Sequence, residues 1–177
     1  MIHPIKHFHV VHRHRQTVMQ HCIKAGIPIQ GLFHDLSKYS PTEFIPGAVY
    51  YMGDKSPTVM ERKVHGQSKA WMHHKGRNKH HCEYWSDYQS KTKQQEPVRM
   101  PSKYVIEMFC DRVAACKVYQ GNHYTDIEPL KFYRLGYGIE CMHPETARVL
   151  ESWLTMLAEK GEEETFAYIR HLHRHVY

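Results

Sequence analysis

The chain has 177 residues, 41% of them hydrophobic, with a formal net charge of +6 and 17 histidines. That length supplies the core of one domain over residues 1–177, and no stretch approaches the roughly 18 unbroken apolar residues that a membrane span requires. The basic balance suits a phosphate-bearing partner, either a small molecule or nucleic acid.

The opening MIHPIKHFHVVHRHR has no apolar h-region and no small-residue cleavage site, which favours the cytoplasm. Apolar residues at helical spacing (Val11, Val18, Cys22, Ala25) predict a helix over 8–25 that stops at Gly26. A short helix over 28–38 follows and includes His34 and Asp35. Ser40-Pro41-Thr42-Glu43 reads as a capping box that opens a third helix. Ser56-Pro57 repeats the cap-plus-proline signal, and one helical segment over 57–75 ends at Gly76.

Residues 77–100 are polar, and 86–97 has no periodicity, so a surface loop is expected there. Met100-Pro101-Ser102 opens a helix reaching Lys117 or Tyr119, with Tyr104, Val105, Met108, Phe109, Val113 and Cys116 as its apolar stripe. A short helix near 128–135 is followed by two more, 144–160 and 162–175, parted at Gly161. Tyr50, Tyr51, Tyr133 and Tyr137 read as core or rim aromatics. Alternating runs of strand length are nearly absent, and no phosphate-loop or dinucleotide glycine motif occurs. The fold class is therefore all-α, a compact multi-helix bundle. The cysteines (Cys22, Cys82, Cys110, Cys116, Cys141) are odd in number and lack a C-x-x-C pair, a pattern that fits reduced thiols.

His34-Asp35 stands at the inner end of an apolar run, where polar groups need partners. On a helix the two side chains diverge by about 100°, so a shared ion must lie between them, with other ligands from other helices. Asp111 borders the apolar stripe of its helix, and His14 stands on the first helix, with His12 and His21 as competitors. Two imidazoles and two carboxylates suit a borderline divalent cation such as Mn²⁺, Fe²⁺, Co²⁺, Ni²⁺ or Zn²⁺.

The order His … His-Asp … Asp resembles the HD superfamily of metal-dependent phosphohydrolases. It is carried here by His14 in H-x-x-x-V, His34-Asp35 in LFHDLSK and Asp111 in EMFCDRVAA. The resemblance implies an HD-like helical fold with His14, His34, Asp35 and Asp111 as ligands, and it prefers His14 because Val18 follows at the required spacing. HDLSKYSPTEF, HHKGRNKHHCEYW, MPSKYVIEMFCDRVAACKVYQG and MHPETARVLESWLTMLAEKGEEETF further resemble a family of uncharacterised bacterial proteins carrying a domain of unknown function.

The block WMHHKGRNKHHCEYW adds a second cluster. Some HD proteins hold a second metal with histidines in this interval, a role open to His74, His80 and His81. Lys75, Arg77, Asn78 and Lys79 can instead grip phosphate oxygens while His81 donates to a leaving group. The block also resembles the H-N-H nuclease motif, which needs a β-hairpin for which strand signals are missing. Lys38 lies one turn beyond Asp35 and can face the same cleft. Glu43 reads as the capping-box partner of Ser40 and alternatively as a residue that orients water. The expected function is a metal-dependent hydrolase of a phosphate ester, with a nucleotide as one substrate class. The alternative is a non-catalytic module that binds nucleic acid or an acidic partner around a structural metal.

Overall fold

Proline and glycine set most of the helix boundaries in the computed structural model, which describes residues 2–136 and 138–175. Tyr137, named above among the aromatics, lies outside the described residues. Helix α1 (Pro4–Ala25) begins with proline, whose missing N–H costs nothing there, and ends at Gly26 in the left-handed region (φ 85°). Proline also opens α2 (Pro28–Phe33), α3 (Pro41–Val49) and α4 (Pro57–His65). Next come α5 (Lys69–Lys75), α6 (Ser102–Gln120), α7 (Glu128–Arg134) and α8 (Pro144–His175). The break expected at Gly161 is a joint inside α8, where φ 80° and ψ 177° interrupt the helical geometry.

The core is built around α6. Val105 through Cys110 are all buried, so this helix has no solvent face along that run and the one-sided stripe is too narrow a description. Val18, Cys22 and Ala25 of α1 and Leu150, Trp153, Leu154 and Leu157 of α8 close on it. Phe109 packs its ring edge against Trp153 and Phe166 at centroid distances of 6.1 and 5.6 Å. No helix among the described residues is long and apolar enough to cross a membrane.

Several expectations are corrected. The segment 28–38 is not one helix: α2 stops at Phe33, and a 3-10 turn covers Leu36–Tyr39. The segment 57–75 is two helices, because Gly66 closes α4 and Ser68 caps α5 by accepting from the Trp71 N–H while bonding Glu61. Ser40 makes no side-chain cap, so the capping box does not form. α1 starts four residues before its expected boundary, since His7 is buried where an apolar residue would have signalled the helix.

The stretch read as loop contains a hairpin, β1 (Ser86–Gln89) antiparallel to β2 (Gln94–Pro97), with Ser86 opposite Pro97. Its strands, SDYQ and QQEP, are mostly exposed and polar, so no alternation betrays them. The hairpin follows the histidine block rather than carrying it. Cys82 and Cys141 pair as a disulfide across 59 residues, whereas Cys22, Cys110 and Cys116 are the buried free thiols that the sequence suggests.

Two consequences can be measured. α2 lies so close to α1 that a Cβ on Gly31 would stand 2.7 Å from the Cys22 Cβ and 3.1 Å from the Met19 backbone. Gly31→Ala should therefore cost about 1–3 kcal/mol, a fall of roughly 3–10 °C in Tm for a chain of this size. His7 and His21 fold neutral, since burial pushes each from 6.5 to about 4, aided by Lys38 for His7. A folded pKa below the unfolded one means that stability is lost as pH falls from 6.5 towards 4. The gap in urea midpoint between wild type and His21→Gln should accordingly narrow over that window.

Candidate metal centre

The His34-Asp35 pair sits in the break between α2 and the 3-10 turn, and this break aims both side chains at one point. His34 is extended (φ −53°, ψ 128°) and Asp35 is left-handed (φ 53°, ψ 26°), a conformation that Asp tolerates better than most residues. Arg15 of α1 holds the break open. Its Nε donates to the His34 carbonyl at 2.7 Å and its Nη2 to the Leu32 carbonyl at 3.1 Å, satisfying groups that a continuing helix would have bonded. The divergence expected on a helix is thereby removed, and His34 Nε2 lies 3.3 Å from Asp35 Oδ2.

Asp35 is 1% exposed, and each of its oxygens meets a different group. Around Oδ2 stand His14 Nε2 at 3.7 Å and His34 Nε2 at 3.3 Å. Asp111 Oδ1 closes this group at 3.0 Å from His14 Nε2 and 3.6 Å from His34 Nε2. Around Oδ1 stand His74 Nε2 at 3.3 Å and His80 Nε2 at 3.5 Å. His81 joins this second group, whose donor atoms all lie within 4.8 Å of one another. The buried atoms His14 Nε2, His34 Nε2, Asp35 Oδ1 and Oδ2, His80 Nε2 and His81 Nε2 have no hydrogen-bond partner among the described residues.

Buried polar atoms without partners are costly, and these converge. Ligand bonds of roughly 2.0–2.2 Å put neighbouring donors roughly 3.0 Å apart in an octahedron and roughly 3.4 Å apart in a tetrahedron. The spacings around Asp35 match polyhedron edges better than aligned hydrogen bonds. Both groups can hold a metal ion.

Carboxylates behind the imidazoles fix their orientation. Glu107 Oε1 lies 2.9 Å from His34 Nδ1 and 3.1 Å from His80 Nδ1. Glu43 Oε2 lies 2.7 Å from His74 Nδ1 and Oε1 2.7 Å from His73 Nδ1, so the carboxylate that reads as a local cap bridges two imidazoles. Sequence reasoning missed Glu107. Its signal was a lone acid one turn before Asp111 inside the unbroken buried run of α6.

The electrostatics favour ionised carboxylates. Burial works to raise the Asp35 pKa, but His34, Lys38 and His74 beside it outweigh this and hold the carboxyl well below its usual range. Asp111 is likewise held down, against burial, by His14 and His34. His34 is the converse case: burial opposes its charge, yet Asp35 and Asp111 beside it and its bond to Glu107 raise it well above 6.5. His81 is pushed well below 6.5 by burial and by His80 and His74, which leaves its lone pair free.

The remaining predicted residues separate clearly. His12 is on the surface, stacked on Phe8 at 5.8 Å. His21 is buried two turns from His14, near the Cys110 carbonyl at 3.3 Å, and does not reach Asp35. Lys38 Nζ forms an ion pair with Asp35 Oδ2 at 2.7 Å. Asn78 spends its amide on Ser37 Oγ and the His74 carbonyl, both at 2.8 Å, and so holds the histidine loop rather than facing an open site. Lys79 lies over the rings of Tyr84 and Tyr104, exposed Arg77 reaches the His73 carbonyl at 3.4 Å, and Lys75 is half-buried at the end of α5. None of these three cations is placed against the Asp35 centre.

The profile of one protein family, described as a family of unknown function (DUF5662), matches residues 3–156. The chain belongs to this family. The matched stretch contains every residue of the two donor groups, together with Glu43 and Glu107, and ends in α8 before the Gly161 joint. No curated protein and no solved structure matches the chain.

The geometry ranks the histidines of α1. His14→Ala should lower the divalent-metal content of the purified protein, whereas His12→Ala and His21→Gln should leave it at the wild-type value in elemental analysis.

Proposed function

We propose that the chain is a metal-dependent phosphohydrolase of the HD kind, with a pair of divalent cations held on either side of Asp35. The observation that carries this reading is the convergence of buried donor atoms without hydrogen bonds on both oxygens of that one carboxylate. His14, His34, Asp35 and Asp111 would hold one ion. Asp35, His74, His80 and His81 would hold the other, with His81 as a ligand rather than a proton donor and Glu43 as the support of His74. The set is mixed imidazole and carboxylate, which fits Mn²⁺, Fe²⁺, Co²⁺, Ni²⁺ or Zn²⁺. Bound there, such ions supply Lewis acidity, acidifying a water and offsetting charge on a phosphoryl group.

The chain's own residues set the direction of approach. Among the side chains around Oδ2, Lys38 is 31% and Asp111 18% exposed, while Asp35 and His34 are at 1% or below. A phosphate ester would enter past Lys38, whose ammonium can turn from Asp35 to a phosphate oxygen as negative charge develops there. The net charge of +6 favours such an anionic substrate, nucleotides among them.

The depth of the centre supports a second reading, in which the ions are a structural staple of a non-catalytic binding module. Elemental analysis followed by a phosphomonoester, phosphodiester and nucleotide panel with Mn²⁺, Co²⁺ and Zn²⁺ separates the two. Wild type should carry divalent metal and turn over a phosphate compound. Asp35→Asn should lose metal and turnover together, and Lys38→Met should keep its metal while kcat/KM drops about 10²–10³-fold. Metal without turnover, with EDTA lowering Tm, selects the staple. Nucleic-acid retention that survives EDTA and weakens steeply with salt selects the binding module.

A further inference from the structure

The two donor groups meet in front at Asp35 and are joined a second time behind. His34 belongs to the Oδ2 group and His80 to the Oδ1 group, yet both turn their Nδ1 to the same atom, Glu107 Oε1, at 2.9 and 3.1 Å. Their rings stand 4.4 Å apart and 36° from parallel. A carboxylate oxygen only accepts, so it can serve both imidazoles only if each carries its proton on Nδ1. That choice leaves each Nε2 towards the centre, where both atoms are buried beside Asp35 and without a hydrogen bond among the described residues. Glu107 is itself buried, and the rigid middle of α6 fixes it one turn from Asp111.

We propose that Glu107 is a positioning residue common to both halves of the centre, setting the tautomer and ring orientation of one histidine in each group. The inference rests on the metal-centre reading above. A carboxylate behind a single ligand typically contributes 10–100-fold in metal affinity. One carboxylate behind a ligand of each group should contribute to both sites at once. Glu43 is the built-in comparison, because it supports His74 of one group and His73, which belongs to neither.

The test is titration of chelator-stripped protein with Co²⁺, followed by visible absorption and calorimetry, on wild type, Glu107→Ala, Glu107→Gln, Glu43→Gln and His14→Ala. Wild type should take up Co²⁺ at both sites. Glu107→Ala should weaken both sites in parallel by about 10–100-fold. Glu107→Gln, which keeps an acceptor oxygen but not the charge, should recover part of that loss. Glu43→Gln and His14→Ala should each weaken one site and leave the other near wild type. If Glu107→Ala fails to fold by near-ultraviolet circular dichroism, Glu107→Gln decides alone. Wild-type affinity at either site in that variant overturns the proposal, as does a loss confined to one site in either Glu107 variant. A wild type that takes up no Co²⁺ sinks the metal reading itself, and the coupling with it.

Discussion

A carboxylate kept ionised and almost wholly out of water is the constraint on which the rest of the molecule depends. An isolated buried carboxylate is penalised by tens of kcal/mol in the idealised limit, so Asp35 survives there only because cationic and imidazole groups surround it. Arg15 is bound to the backbone of the break, Lys38 stands one turn along the chain, and imidazoles come from α1, α5 and the loop beyond. Each of these groups is held by something else in turn. The centre is therefore a network, and removing one member leaves another charge uncompensated.

The elements divide this labour by stiffness. α1 and α6 are long, cross the core and present His14 and Asp111 from fixed positions on buried faces. The His74–His81 stretch is the end of a short helix followed by a loop, and it needs side-chain ties to keep its shape. Asn78 supplies one by bonding Ser37 and the His74 carbonyl, and Trp85 supplies another by donating to the Lys79 carbonyl at 2.7 Å. Asn78, which the sequence offers to substrate, spends its amide on that tie here.

Much of the helical framework was legible because proline and glycine act locally: a proline opens a helix and a glycine closes one wherever the fold places it. His34, Asp35 and Asp111 stood out because polar groups lay where helices had to pack, whereas the choice of His14 and the addition of His74 and His80 came from the resemblance to HD proteins. What could not be read depends on distant partners. The left-handed turn at Asp35 follows the His34 carbonyl, which Arg15, nineteen residues earlier in the chain, holds. Glu43 looked like a local cap and is instead bound to histidines thirty residues away. Glu107 resembled a blemish in an apolar run. The hairpin was invisible because its few pairings are backbone bonds between polar, exposed residues.

The Cys82–Cys141 pair has a topological consequence for that hairpin. Chain from 82 to 141, including β1, β2 and all of α6, forms a closed covalent loop whose tip is the exposed turn at 90–93. A cut at that tip leaves two fragments still tethered through sulfur. The histidine loop stays attached to the half that carries Asp111, and only a reductant parts the two pieces.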